Sequence, residues 1–257
     1  MKIFRPLIFI ASLILAVSLA CSVNLTDEPT AVPQQPVDTT AQPAQPIQPQ
    51  QDVPATEEAQ PIQPVSPSSG PFFTEEFDSD PQWYYEVIKG TDSSDAEKAT
   101  YKFESGRMIF DIPDPELYAY YMFKGDTYEN VRLDIKVENR GVNSQQVSLV
   151  CRESDEGWYE LSIQSDGTWI LWAVQNGYNL VTNGGSTAIK QGKEVNEYTM
   201  ICDDNQISFF FNGVEHKSSP FTERKYALKR GNVGFSISSL RAVPVKVEVD
   251  WFKISEP

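Results

Sequence analysis

The chain has 257 residues, a formal net charge of −15, 12% aromatic residues, one histidine and three cysteines. This acidic balance argues against nucleic acid as a partner, because phosphate binding needs clustered Lys and Arg. It also argues against adhesion to anionic lipid by charge, and two isolated cysteines with one histidine do not suggest a metal site.

The first 21 residues have the layout of a secretory signal. Lys2 and Arg5 precede an apolar run from Leu7 to Val17, and small residues lead to Ser18-Leu19-Ala20-Cys21. A cysteine directly after that exit resembles a bacterial lipoprotein signal, in which the cysteine is lipidated and begins the mature protein. Ser18 stands where that family usually carries Leu. An uncleaved anchor and an ordinary cleaved signal are the alternatives. All three place the rest of the chain outside the cytoplasm. A diacylated Cys21 makes the outer face of the cytoplasmic membrane the first partner.

Residues 22–71 read as a disordered tether. Pro-Gln phrases recur, as in Gln42-Pro43-Ala44-Gln45-Pro46 and Gln60-Pro61-Ile62-Gln63-Pro64. Few groups there can bury enough apolar surface to offset ordering entropy. The prolines favour an extended spacer of up to about 150 Å at ~3.1 Å per residue.

From Phe72 the hydrophobic period becomes two. Val131, Leu133, Ile135 and Val137 alternate with Arg132, Asp134, Lys136 and Glu138, which predicts a strand with one wet face. Similar runs fall at 106–112, 117–123, 145–152, 158–164, 168–174, 196–203, 206–211, 231–238 and 244–254. Turn signals such as Ser165-Asp166-Gly167, Asn176-Gly177 and Asn212-Gly213 separate them. Only 223–229 offers room for a helical turn. Cys151 and Cys202 fall in two such strands and pair in an exported domain, the alternative being two buried thiols. A bridge closes a loop of about 50 residues and adds roughly 3–4 kcal/mol.

Three segments together resemble the concanavalin A-like lectin/glucanase superfamily, in its laminin-G-like and family 16 glycosidase-like branch. They are Phe72-Phe73-Thr74-Glu75-Glu76-Phe77-Asp78 with Trp83, Gln206–Gly213 ending in Asn-Gly, and Gly231–Phe235 followed by Val247–Ile254. The resemblance covers 72–257 and implies an all-β, two-sheet antiparallel jelly roll. It also implies sugars bound on a concave face. The family's glycosidases carry Glu-x-Asp-x-x-Glu on one strand, and no strand here does. Retaining hydrolysis needs two carboxyls about 5–5.5 Å apart. The acidic groups Glu153-Ser154-Asp155-Glu156 and Asp203-Asp204 read as solvated turns. His216, after an Asn-Gly turn, reads as an exposed loop residue. Related jelly rolls tie first strand to last with Ca²⁺, which points to Asp250 with Glu76 and Asp78 as ligands. Its alternative is that Asp250 hydrogen-bonds within the sheet edge.

Binding would rest on aromatic rings, which stack on the C–H faces of sugars. Trp158, Trp169, Trp172, Tyr178 and Tyr120 are the candidates. Alternation places Tyr159 with Leu161 and Ile163 in the core and Trp158 with Glu160 on the wet side. Trp169 and Trp172 point to opposite faces, and either one fits the core. The expectation is a monomeric, surface-anchored, non-catalytic carbohydrate-binding module with no nucleic-acid partner. A divergent glycoside hydrolase and a protein-interaction or structural domain are the alternatives.

Overall fold

The computed structural model describes residues 70–257. The expectations for the signal, for Cys21 and for the tether up to residue 69 lie outside them. Two antiparallel sheets face each other across one core. Sheet I contains β1 (Phe73–Glu75), β3 (Thr100–Phe103), β4 (Met108–Ile112), β6 (Val131–Asn139), β11 (Val195–Asp203), β12 (Gln206–Phe211), β13 (Val214–Glu215), β14 (Phe221–Thr222) and β16 (Val245–Ser255). Its main order is β13-β12-β11-β6-β16-β4-β3. Sheet II contains β2 (Tyr84–Lys89), β5 (Leu117–Tyr128), β7 (Gln145–Ser154), β8 (Gly157–Gln164), β9 (Thr168–Val174), β10 (Tyr178–Gly185) and β15 (Gly231–Ser239). Its order is β10-β9-β8-β7-β15-β5-β2.

The period-two pattern sets both faces. On β6, Val131, Leu133 and Ile135 are fully buried in the core. The intervening side chains form a charge ladder on the outer face of sheet I. Arg107 reaches Glu138 at 3.1 Å and Glu248 at 2.6 Å, and Arg140 reaches the same two carboxylates. Between the sheets, Trp83 stacks on Tyr121 at 5.5 Å and Phe235 meets Phe252 at 5.3 Å. The Cys151–Cys202 disulfide joins β7 of sheet II to β11 of sheet I, with a Cα–Cα separation of 6.8 Å. The bridge expected from sequence therefore ties the two sheets together.

Most expected strands appear at their places, and β5 runs five residues past its expected end to Tyr128. The short edge strands β1, β2, β3, β13 and β14 add to them. The 223–229 segment is a loop rather than a helix. Glu223 organises it by accepting the N–H groups of Lys225, Tyr226 and Ala227 and the Tyr159 hydroxyl. Burial alone would raise that carboxyl, but the hydrogen bonds outweigh it and hold Glu223 below the usual range.

His216 corrects the sequence expectation. It is only 8% exposed, and its ring lies 4.8 Å from Trp169 and 5.6 Å from Phe209. Its Nδ1 accepts the Ser218 N–H at 3.1 Å, and Nε2 lies 3.3 Å from the Gly185 carbonyl. The Asn-Gly turn folds back onto the core edge, so the imidazole packs and bonds locally instead of facing solvent.

Candidate functional site

The two outer faces differ in kind. That of sheet I is wet and charged. The outward face of sheet II is sheltered, although no strand of sheet I packs on it. Ser148, Ser162, Ser236 and Ser238 are fully buried there, and Gln146, Val150 and Tyr120 are nearly so. Among the described residues it is this face's own larger side chains, Tyr118, Tyr120, Met122 and Trp158, that cluster over it.

The register shows how. Tyr120 on β5 pairs with Ser236 on β15, Ser236 with Ser148 on β7, and Ser148 with Ser162 on β8. The next row runs Met122, Gly234, Val150, Glu160 and Trp172. Three strand spacings separate β5 from β8, roughly 14 Å. Yet the Tyr120 hydroxyl donates to Glu160 Oε2 at 2.8 Å. The tyrosine must therefore lie across β15 and β7, which explains the small residues beneath it. Gly234 is set by strand packing instead: a Cβ there would come 2.4 Å from the Tyr121 carbonyl oxygen of the neighbouring strand.

Glu160 is the hub of the face and is 1% exposed. Besides Tyr120, it accepts Trp158 Nε1–H at 3.1 Å and the Ser162 hydroxyl at 3.0 Å. Tyr120 and Tyr178 share a hydroxyl contact of 2.7 Å. Burial, then the Glu160 charge, pushes both phenols well above their ordinary range, so both remain protonated donors. The polar row continues from Ser162 to Ser148 at 3.1 Å and from Gln146 to Ser148 at 3.3 Å. Among the described residues the Ser236 and Ser238 hydroxyls are buried without a partner. Orphaned buried hydroxyls are uncommon and call for an explanation. Beside this network, Tyr84, Glu86, Met122, Lys124 and Trp158 line a cleft of about 70 Å³.

Four of the five aromatic candidates thus converge. Tyr120 and Trp158 meet edge to face at 6.2 Å, and Trp172 and Tyr178 do so at 5.8 Å. Trp169 does not join them, which corrects its candidacy. It is fully buried against Phe209 at 4.6 Å, on the core side with Leu171 and Ala173. Its indole fills the gap between the sheets, and Trp172, three residues on, faces outward. Glu160, Ser236 and Ser238 join the face without being among the residues that the sequence marks as candidates. Their signal was alternation: Glu160 shares Trp158's side, and Gly234-x-Ser236-x-Ser238 is a row of small residues on one face.

The expected cation ligands are not gathered. Asp250 lies on the outer face of sheet I, 2.8 Å from Lys136 and 3.6 Å from Arg107. Two protein cations already answer its charge, and Glu76 and Asp78 are exposed. Among the described residues no three acidic, His or Cys side chains form a metal-ligand set. A larger cleft of about 460 Å³ lies between β1, β2 and β5 against Phe73, Trp83 and Phe123. Its carboxyl, Glu75, is raised by burial and accepts the Phe77 N–H at 2.9 Å, as a turn-forming residue does.

No family model matches the chain, and no curated protein is similar to it in sequence. Solved structures do match. A galectin-like protein of unknown function from Bacillus subtilis has a TM-score of 0.52 at 12% identity, covering 72% of this chain and 94% of that one. The Bacillus licheniformis β-glucanase has 0.51 at 12% identity, covering 74% and 100%. A Bacteroides ovatus family 16 glycoside hydrolase in complex with an oligosaccharide product has 0.52 at 11% identity, covering 71% and 99%. The fold is the concanavalin A-like jelly roll. Within this jelly roll, the sheltered face of sheet II is the one that combines aromatic walls with a polar floor.

Proposed function

We propose that the chain is an exported module, anchored through lipidated Cys21, that binds extracellular carbohydrate on the outward face of sheet II. The observation that carries this reading is the Glu160 network. A buried carboxylate, two orphaned serine hydroxyls and four aromatic rings share one sheltered face. Sugars need both components: rings for their C–H faces and fixed polar groups for their hydroxyls. The glucan-acting names of the β-glucanase and the family 16 hydrolase support carbohydrate as the ligand class.

Binding is favoured over hydrolysis by the placement of the carboxylates. Both Glu160 oxygens are occupied by donors, so neither is presented to a glycosidic oxygen. Glu86 sits on β2, four strands from β8, a separation of roughly 19 Å between strands. Tyr84 donates to it at 3.0 Å. Glu153 is paired with Lys124 at 3.4 Å.

Pull-downs of the chain on insoluble polysaccharides, together with a glycan array, test the reading. Retention on at least one polysaccharide, reduced in Trp172→Ala, is expected. Absence of retention on all of them would overturn it.

A further inference from the structure

Arg152 is only 3% exposed, and among the described residues no carboxylate forms an ion pair with it. Its Nε donates to the Glu129 carbonyl at 2.9 Å and its Nη1 to the Leu228 carbonyl at 3.0 Å. The Glu129 carboxylate lies instead beside Arg230 at 3.9 Å. Glu223, close by, spends its oxygens on the Tyr159 hydroxyl and the N–H groups of Lys225, Tyr226 and Ala227. Asp203 and Asp204 act on Arg152 only from beyond ion-pair range. A guanidinium stays charged wherever it is placed, so this is a sheltered cation answered by neutral carbonyls. Such a charge is costly to hold, and in a cleft it is a mark of a binding function.

The cleft is there. Arg152 lines a cavity of about 170 Å³ together with Arg224, Lys229, Asn205, Asp204 and Glu223. Its Nη2 has no partner among the described residues, yet it is not one of the sealed orphan atoms, so solvent and a ligand can reach it. Arg224 and Lys229 are exposed and form no ion pair among the described residues either. Three cations against two carboxylates leave one positive charge in excess, on a chain whose net charge is −15. The cavity holds about five or six water volumes at ~30 Å³ each, room for an oxyanion and its remaining waters. Its walls are also strained: Arg152, Asp204 and Ala227 have φ values of 58°, 49° and 54°, the left-handed region that side chains disfavour. Strain of this kind gathers at ligand clamps.

We propose that this cleft binds a singly charged oxyanion group, a carboxylate or a sulfate ester, with Arg152 Nη2 as the buried donor. Arg224 and Lys229 close over it from the rim. A guanidinium suits such a group because its parallel N–H donors match two anion oxygens. None of the residues that line this cleft belongs to the outward face of sheet II, so the inference stands apart from the carbohydrate reading.

The test is a nuclear magnetic resonance titration of the chain with acetate, methyl sulfate and inorganic phosphate, each against chloride at the same ionic strength. Acetate or methyl sulfate should move the Arg152 Nε–H signal and the Asn205 and Ala227 amides along a saturable curve, and the stronger of the two names the carrier. Exposed Arg224 and Lys229 can be replaced without touching the core. The Arg224→Gln/Lys229→Gln variant should therefore melt as wild type does and bind about tenfold more weakly. Shifts that do not saturate, shifts that chloride reproduces, or equal affinity in the double variant would overturn the proposal. Tighter binding of phosphate than of both singly charged probes would overturn its charge assignment.

Discussion

Removing the Cys151–Cys202 bridge should weaken the domain by an amount that its loop length sets. The two cysteines are 51 residues apart in sequence. Closing a loop of that size in the unfolded chain corresponds to about 4 kcal/mol at room temperature in the chain-entropy treatment. For a domain of this size that converts to a fall in melting temperature of roughly 8–16 °C. Both cysteines are fully buried, so reductant should act only once the sheets separate. Urea unfolding of wild type and of the Cys151→Ala/Cys202→Ala double variant checks the magnitude, with the slope against urea reporting on the unfolded state. The β7 strand carrying Cys151 also carries Ser148 and Val150 of the candidate face. Because the bridge lies on the core side, glycan binding by the folded double variant should be little changed. A loss under about 1 kcal/mol would refute the reasoning by showing that the bridge is not closing the unfolded loop in this way.

Trp169 and Trp172 offer a matched pair. Trp169→Ala should cost about 3–5 kcal/mol in denaturant melts, whereas Trp172→Ala should cost under about 1 kcal/mol and weaken glycan binding. Tyr159→Phe deletes a hydroxyl that donates to Glu223 and accepts the Leu228 N–H at 3.2 Å, so it should lose about 1–3 kcal/mol by the same assay. Tyr120 and Tyr121 are raised first by burial and then by Glu160 and Asp80 respectively. Their folded values exceed their unfolded ones, so this stability is complete below pH 10 and is lost above it as the unfolded phenols ionise. Each removes about 1.4 kcal/mol per pH unit there. Melting temperatures should fall steeply above pH 10, and Tyr120→Phe should make the fall shallower.

The strands of this fold were legible because their alternation is nearly unbroken. Val131 to Val137 point inward and their partners outward in the structure as in the sequence. Tyr159 and Trp158 separated correctly for the same reason. What alternation does not supply is the choice between two opposite-facing tryptophans of equal apolar weight. That choice depends on Phe209 and His216 arriving from the other sheet to cover Trp169. Nor does it show Tyr120 crossing two strands to reach Glu160, because that contact joins residues 40 apart through sheet order. Asp250, expected as a cation ligand, is instead paired with Lys136 of β6 and with Arg107 of the turn preceding β4, partners that strand alternation does not reveal. The short edge strands β13 and β14, two residues each, carry too little pattern to be read in advance.

The central claim is that the outward face of sheet II, walled by Trp158, Trp172, Tyr120 and Tyr178, holds a glycan. Calorimetric titration of the chain with a soluble oligosaccharide of whichever polysaccharide retains it addresses that claim directly. The account predicts a saturable isotherm for wild type and at least about tenfold weaker binding for Trp172→Ala, with unchanged melting. Superimposable isotherms for the two proteins would contradict it.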